Sequence, residues 1–82
     1  MINFISNLKY DLETTFRELG HSIYNLKITN LVKENEHYLI SGSCDDLHID
    51  ILGTHKILDF TATYDPKNRE ITAFEVKSRV KI

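Results

Sequence analysis

The residues best suited to chemistry in this sequence are carboxylates and one imidazole spread between positions 46 and 75. Asp46, His48 and Asp50 alternate along one segment, and Asp59 and Glu75 lie in the two alternating segments that follow. One imidazole with two or three carboxylates is a donor set for a divalent cation, or a pair of groups that could pass a proton. The candidate metal site is therefore a row of His48, Asp59 and Glu75, flanked by Asp46 and Asp50. The competing reading is a solvated sheet face with screened charges, since acidic surface residues are common. Cys44 is the only cysteine, so an internal disulfide is ruled out, and its apolar setting predicts an inert thiol. His21, His37 and His55 are scattered through turn-like segments with no zinc spacing. Gly20, Gly42 and Gly53 are isolated and build no phosphate-cradling loop. No catalytic motif emerges, and the expectation is a protein that is not an enzyme and has no cofactor beyond that candidate metal.

These groups need a scaffold. A chain of 82 residues with 41% hydrophobic and 27% charged side chains is expected to form one small globular domain over 1–82. A formal net charge of -2 argues against nucleic acid or an anionic membrane as partner. The short basic row Lys77, Arg79, Lys81 does not reverse that balance. Polar residues interrupt the apolar stretches and no basic leader precedes them, so a cytoplasmic location is expected.

The spacing predicts an amphipathic helix first. Ile5, Leu8, Leu12, Phe16 and Leu19 form one stripe, and Gly20 stands where a left-handed C′ residue would end the helix. The stripe would also suit a helical seam or a membrane surface, but a sheet in need of cover favours burial. The period then changes to two. Tyr24, Leu26 and Ile28 alternate with polar residues, as do Tyr38, Ile40, Gly42 and Cys44 after the turn Lys33–Glu36. A three-residue loop pairing Lys33 with His37 is expected, because a two-residue loop would set Ile28 opposite Ser41. Leu47, Ile49 and Ile51 reverse the parity, which predicts a β-bulge at Asp45–Asp46. Gly53 would then lead a tight turn, pairing Ile49 with Leu58 and Leu47 with Phe60. Asp65-Pro66-Lys67-Asn68 predicts a second hairpin, with Asn68 in the left-handed conformation. That register pairs Phe60 with Phe74 and Leu58 with Val76, and it is the register that aligns Asp59 with Glu75. The aromatic residues Phe16, Tyr24, Tyr38, Phe60 and Phe74 all fall on core positions.

The predicted fold is α+β, one N-terminal helix on a curved four-stranded antiparallel meander. In the same register Val80 faces Thr54 and Ile82 faces Leu52, so the last strand overhangs its partner. Lys77, Arg79, Val80, Lys81 and Ile82 are therefore the candidate interface, for a protein partner or a homo-oligomer.

One helix on a four-stranded meander resembles the cystatin-like arrangement. Residues 57–80, ILDFTATYDPKNREITAFEVKSRV, resemble the C-terminal hairpin of the gas vesicle accessory O family, with Tyr64, Asp65, Phe74, Lys77 and Arg79 at the matching positions. That resemblance implies a non-enzymatic assembly factor acting through protein contacts. With the residue-level reading, it leads to the expectation of a non-catalytic interaction module, an accessory factor or small inhibitor. A metal- or small-ligand-binding domain is the alternative.

Overall fold

The structure is a computed structural model that describes residues 4–48 and 51–80. Helix α1 spans Phe4–Glu18, followed by β1 (Ile23–Glu34), β2 (His37–Asp46), β3 (Lys56–Asp65) and β4 (Glu70–Val80). The strands form one antiparallel sheet in the order β1-β2-β3-β4, so each pairs with its neighbour in sequence. This is the α+β meander that the periodicity predicts.

The helix ends as expected. Gly20 adopts φ 88°. The Gly20 N–H donates to Arg17 O at 3.0 Å and the His21 N–H to Phe16 O at 2.9 Å, the paired bonds of a Schellman cap. The buried stripe is narrower than the spacing implies. Leu8, Leu12 and Phe16 are fully buried, whereas Ile5 and Leu19 are exposed. Phe16 meets Phe60 and Phe74 edge-on, with centroids 5.5 and 4.9 Å away. Ile40, Cys44, Leu58, Phe60, Ala62 and Tyr64 complete the core, all from the two central strands.

The loop between β1 and β2 is one residue shorter than expected. Glu34 pairs with His37, and Asn35 takes the left-handed conformation at φ 56°. Ile28 still reaches Gly42, because the register shifts between Ile28 and Asn30. The core face of β1 is thus recovered by a bulge, not by a longer turn. A second shift between Tyr24 and Lys27 contains Asn25 at φ 58° and leaves Tyr24 exposed, against the expectation that its ring joins the core.

The bulge expected at Asp45–Asp46 does not form. β2 ends at Asp46, whose Oδ1 accepts the His48 N–H at 2.9 Å, and Leu47 N–H donates to Ser22 O at 2.8 Å. A carboxylate that takes a backbone N–H two residues on turns the chain out of the strand. Leu47 therefore does not face Phe60; Gly42 does, and Cys44 faces Leu58. This pairing brings Tyr38, Ile40, Gly42 and Cys44 against Tyr64, Ala62, Phe60 and Leu58. It matches more apolar side chains than the two pairs that a tight turn at Gly53 would give. Of that expected strand, Ile49 and Asp50 lie outside the described residues, and Ile51 is wholly exposed.

In the last hairpin the left-handed residue is Arg69, at φ 51°, instead of Asn68. Asp65 pairs with Glu70, and a further shift follows between Thr63 and Tyr64. The two one-residue changes sum to an even displacement. Faces are preserved and partners are not: Phe60 pairs with Val76, and Ala62 with Phe74.

Gly42 leaves no room for a side chain between β1 and the Phe60 ring. A Cβ there would overlap Lys27 O and stand 2.7 Å from the tip of the Phe60 ring. Gly42→Ala is expected to destabilise the fold by about 1–3 kcal/mol, the usual cost of overpacking, read from the urea midpoint.

Candidate functional site

One face of the sheet carries α1; the other is bare. Its side chains come from alternate positions and assemble into rows across all four strands. Val32, Leu39, Thr63 and Ala73 form one row. Asn30, Ser41, Thr61 and Glu75 form the next, then Lys27, Ser43, Asp59 and Lys77. The face is graded, aliphatic and hydroxyl-bearing toward the hairpin turns and charged toward the opposite end. An open depression of about 470 Å³ lies over the first two rows. Val32, 46% exposed, and Leu39, 42% exposed, line it side by side across β1 and β2.

The expected row of His48, Asp59 and Glu75 is not assembled. Asp59 pairs with Lys77 and Glu75 with Thr61, while His48 follows the end of β2 in the connection to β3. The physical reason is the even displacement of the β3–β4 register, which keeps Asp59 and Glu75 on one face but moves them out of opposition. Asp46 turns the chain through its bond to His48, and Asp50 lies outside the described residues. Among the described residues, no three His, Cys, Asp or Glu side chains group where one ion would reach them.

Asp59 is neutralised within its own sheet. Arg79 Nε donates to Asp59 Oδ2 at 2.6 Å and a second guanidinium nitrogen to Oδ1 at 3.4 Å. The hydrogen bonds to Asp59, then its charge, raise the Arg79 pKa above its ordinary value. Of the candidate interface, Lys77, Arg79 and Val80 belong to β4, and Lys81 and Ile82 lie outside the described residues. The expected overhang is absent through Val80, which pairs with Lys56 instead of facing Thr54.

A polar cluster that periodicity did not reveal lies under the other end of the molecule. Tyr64 Oη donates to Asp11 Oδ2 at 2.6 Å. Arg69 donates to the same carboxylate from Nε and a terminal nitrogen, at 3.2 and 2.9 Å. Burial, then the hydrogen bond to Asp11 and its negative charge, push the Tyr64 pKa up to about 12, against a lowering by Arg69. The three groups span 58 positions in sequence, so no local spacing could have joined them. Cys44 is buried as expected, and burial, followed by the charges of Asp45, Asp46 and Asp59, pushes its thiol up to about 12. It is a packing group that holds its proton.

No family model matches the chain, and no curated protein or solved structure shows significant similarity to it.

Cys44 and Tyr64 both bind their protons more tightly in the folded chain than in the unfolded one. Stability is therefore complete below the ordinary thiol value of 9.0 and falls as the pH rises from there toward 12. Tyr64→Phe removes a hydrogen bond to a charged acceptor and is expected to cost about 1–3 kcal/mol at neutral pH. It should also flatten the loss between pH 10 and 12, and urea titrations of both proteins across that range test the sign.

Proposed function

We propose that the protein is a non-catalytic interaction module, an accessory or inhibitory factor that works through surface contact. The observation that carries this reading is the bare sheet face, where Val32 and Leu39 stand exposed side by side across β1 and β2. Around them Ser41, Thr61 and Thr63 offer hydroxyls, and all three are short, so a partner can approach the strands closely. Aliphatic anchors beside hydroxyl and amide groups, with the single charge of Glu75 at the β4 end, suit the surface of another folded protein. A formal net charge of -2 and the absence of a cationic stripe from these two rows make a polyanion a poor match. Three groups that could otherwise serve chemistry are engaged within the fold: Cys44 in the core, Asp11 with Tyr64 and Arg69, and Asp59 with Arg79. Contact, not bond-making, is what this distribution of side chains favours.

Leu39→Lys places a charge at the centre of the aliphatic pair without touching the core. Tyr10→Ser, on an exposed position of α1, is the control. In parallel affinity captures from the cells that make the protein, the wild type and Tyr10→Ser should retain the same partner. Leu39→Lys should retain at least about ten-fold less, as expected for loss of a central anchor. Equal retention by all three proteins would refute the reading.

A further inference from the structure

The sheet has two edges, β1 and β4, and they are not equivalent. β1 carries two register shifts, and Asn25 within the first is in the left-handed conformation. Bulges of this kind bend a strand and interrupt the row of groups it offers, which is how proteins blunt an edge. β4 differs. From Ala73 to Val80 it holds one uninterrupted register against β3, with no proline, and beyond it the described residues add no further strand. It presents an uninterrupted row of outward N–H and C=O groups, a template for a further strand.

We propose that this edge pairs with the β4 of a second copy of the chain, antiparallel, about a two-fold axis passing at Val76. The inference rests on the interaction-module reading and adds to it a second contact surface, the sheet edge, whose partner is another copy of the chain. The charge pattern of β4 selects the register. Ala73, Glu75, Lys77 and Arg79 point to the bare face, and Phe74, Val76, Ser78 and Val80 to the helix face. Faces match only when the axis passes through a residue opposite itself. An axis at Glu75 sets two glutamates in direct opposition, and an axis at Lys77 sets two lysines so, which is unfavourable. The Arg79 that the Lys77 axis would bring opposite Glu75 is already held by Asp59. With the axis at Val76, each Glu75 stands opposite Lys77 of the second copy, twice by symmetry. Ala73 then faces Arg79 of the second copy, and Phe74 faces Ser78.

Two further observations support this register. Among the described residues the ion pairs are Arg69–Asp11 and Arg79–Asp59, so Glu75 and Lys77 belong to neither. Arg79 is drawn back over its own sheet by Asp59 at 2.6 Å, and it does not extend past the edge as a blocking charge would. On the helix face Phe74 and Val76 are only half-buried at the open edge, and a neighbouring Val76 and Ser78 would continue the surface they begin. The product is an eight-stranded sheet with both helices on one side. The two bare faces then join into one surface.

The test is sedimentation velocity of the wild type and of two charge reversals at exposed positions, with circular dichroism confirming the fold. The wild type should be a dimer at micromolar concentration. Glu75→Lys opposes lysine to Lys77 and Lys77→Glu opposes glutamate to Glu75, so each should raise the dissociation constant by about ten-fold or more. Mixing the two variants restores both opposite-charge pairs, and the mixed dimer should recover wild-type affinity. A monomeric wild type, a dimer indifferent to both reversals, or weakened variants that fail to rescue each other would each overturn the inference. None of these outcomes depends on Leu39, so the capture experiment judges the interaction-module reading separately.

Discussion

One helix has to cover one face of a four-stranded sheet, and most of the structure follows from the mismatch in their lengths. Helix α1 has 15 residues, about 22 Å of rise, whereas the 12 residues of β1 extend roughly 40 Å. The helix therefore shades only part of the sheet, and the buried core lies on β2 and β3 beneath Leu8, Leu12 and Phe16. Beyond its reach the same face changes character. Leu31 is partly exposed, Lys33 replaces an apolar residue opposite Tyr38, and Ser78 and Val80 face solvent at the far end of β4. Gly42 answers the same constraint from below: it lets the Phe60 ring lie flat across β2 and meet Phe16 from the helix.

Packing of three aliphatic or aromatic side chains fixes the depth of the helix better than its direction. Hydrophobic contact is not directional, and a stripe of Leu8, Leu12 and Phe16 could rotate in the plane of the sheet. The Asp11 carboxylate supplies direction. It is held by Tyr64 from the core side of β3 and by Arg69 from the turn that follows, so one group on α1 is tied to one strand and the turn of the last hairpin. Arg69 occupies a left-handed conformation that a long side chain takes only at some cost. Its two bonds to Asp11 offset that cost. The turn before it is fixed independently, because Asn68 Nδ2, then the backbone N–H groups of Asn68 and Lys67, hold the Asp65 carboxyl below its ordinary pKa.

Much of this fold was legible in the sequence at the level of faces, and little of it at the level of partners. Alternation reports on which side of a strand a residue lies, because burial is what selects it. Tyr38, Ile40, Gly42 and Cys44, with Leu58 and Phe60, read correctly for that reason, whereas the buried Tyr64 was not among the expected core positions. Partnership depends on turn length and bulges, and these involve single residues whose alternative conformations differ by little energy. Asn35, Arg69 and the shift near Thr63 each moved a register by one. The alternation of Leu47, Ile49 and Ile51 misled because Asp46 takes the His48 N–H and turns the chain before a strand can continue. The candidate acidic row depended on those registers and lost its alignment with them. The Asp11 cluster was invisible because its members are up to 58 positions apart and no local spacing joins them.

The bulges that defeated the register reading also decide what the sheet offers to the outside. β1 needs its two shifts to keep Ile23, Leu26 and Ile28 turned toward the helix through a twisting edge, and their cost is a broken row of backbone groups. β4 meets the same demand with one shift near its start, so the irregularity is confined beside the turn and the remaining strand keeps one register. Charge follows the same division. Asp59, in the charged row of the bare face, is bonded by Arg79, so its charge is met within the sheet while Lys77 across the strand stays outside that ion pair. What is left outward is a neutral aliphatic and hydroxyl patch and one regular edge carrying Glu75 and Lys77 in alternation. A single-helix cover thus leaves two surfaces unclaimed, and the placement of bulges determines that only one of the two edges keeps the geometry of a strand.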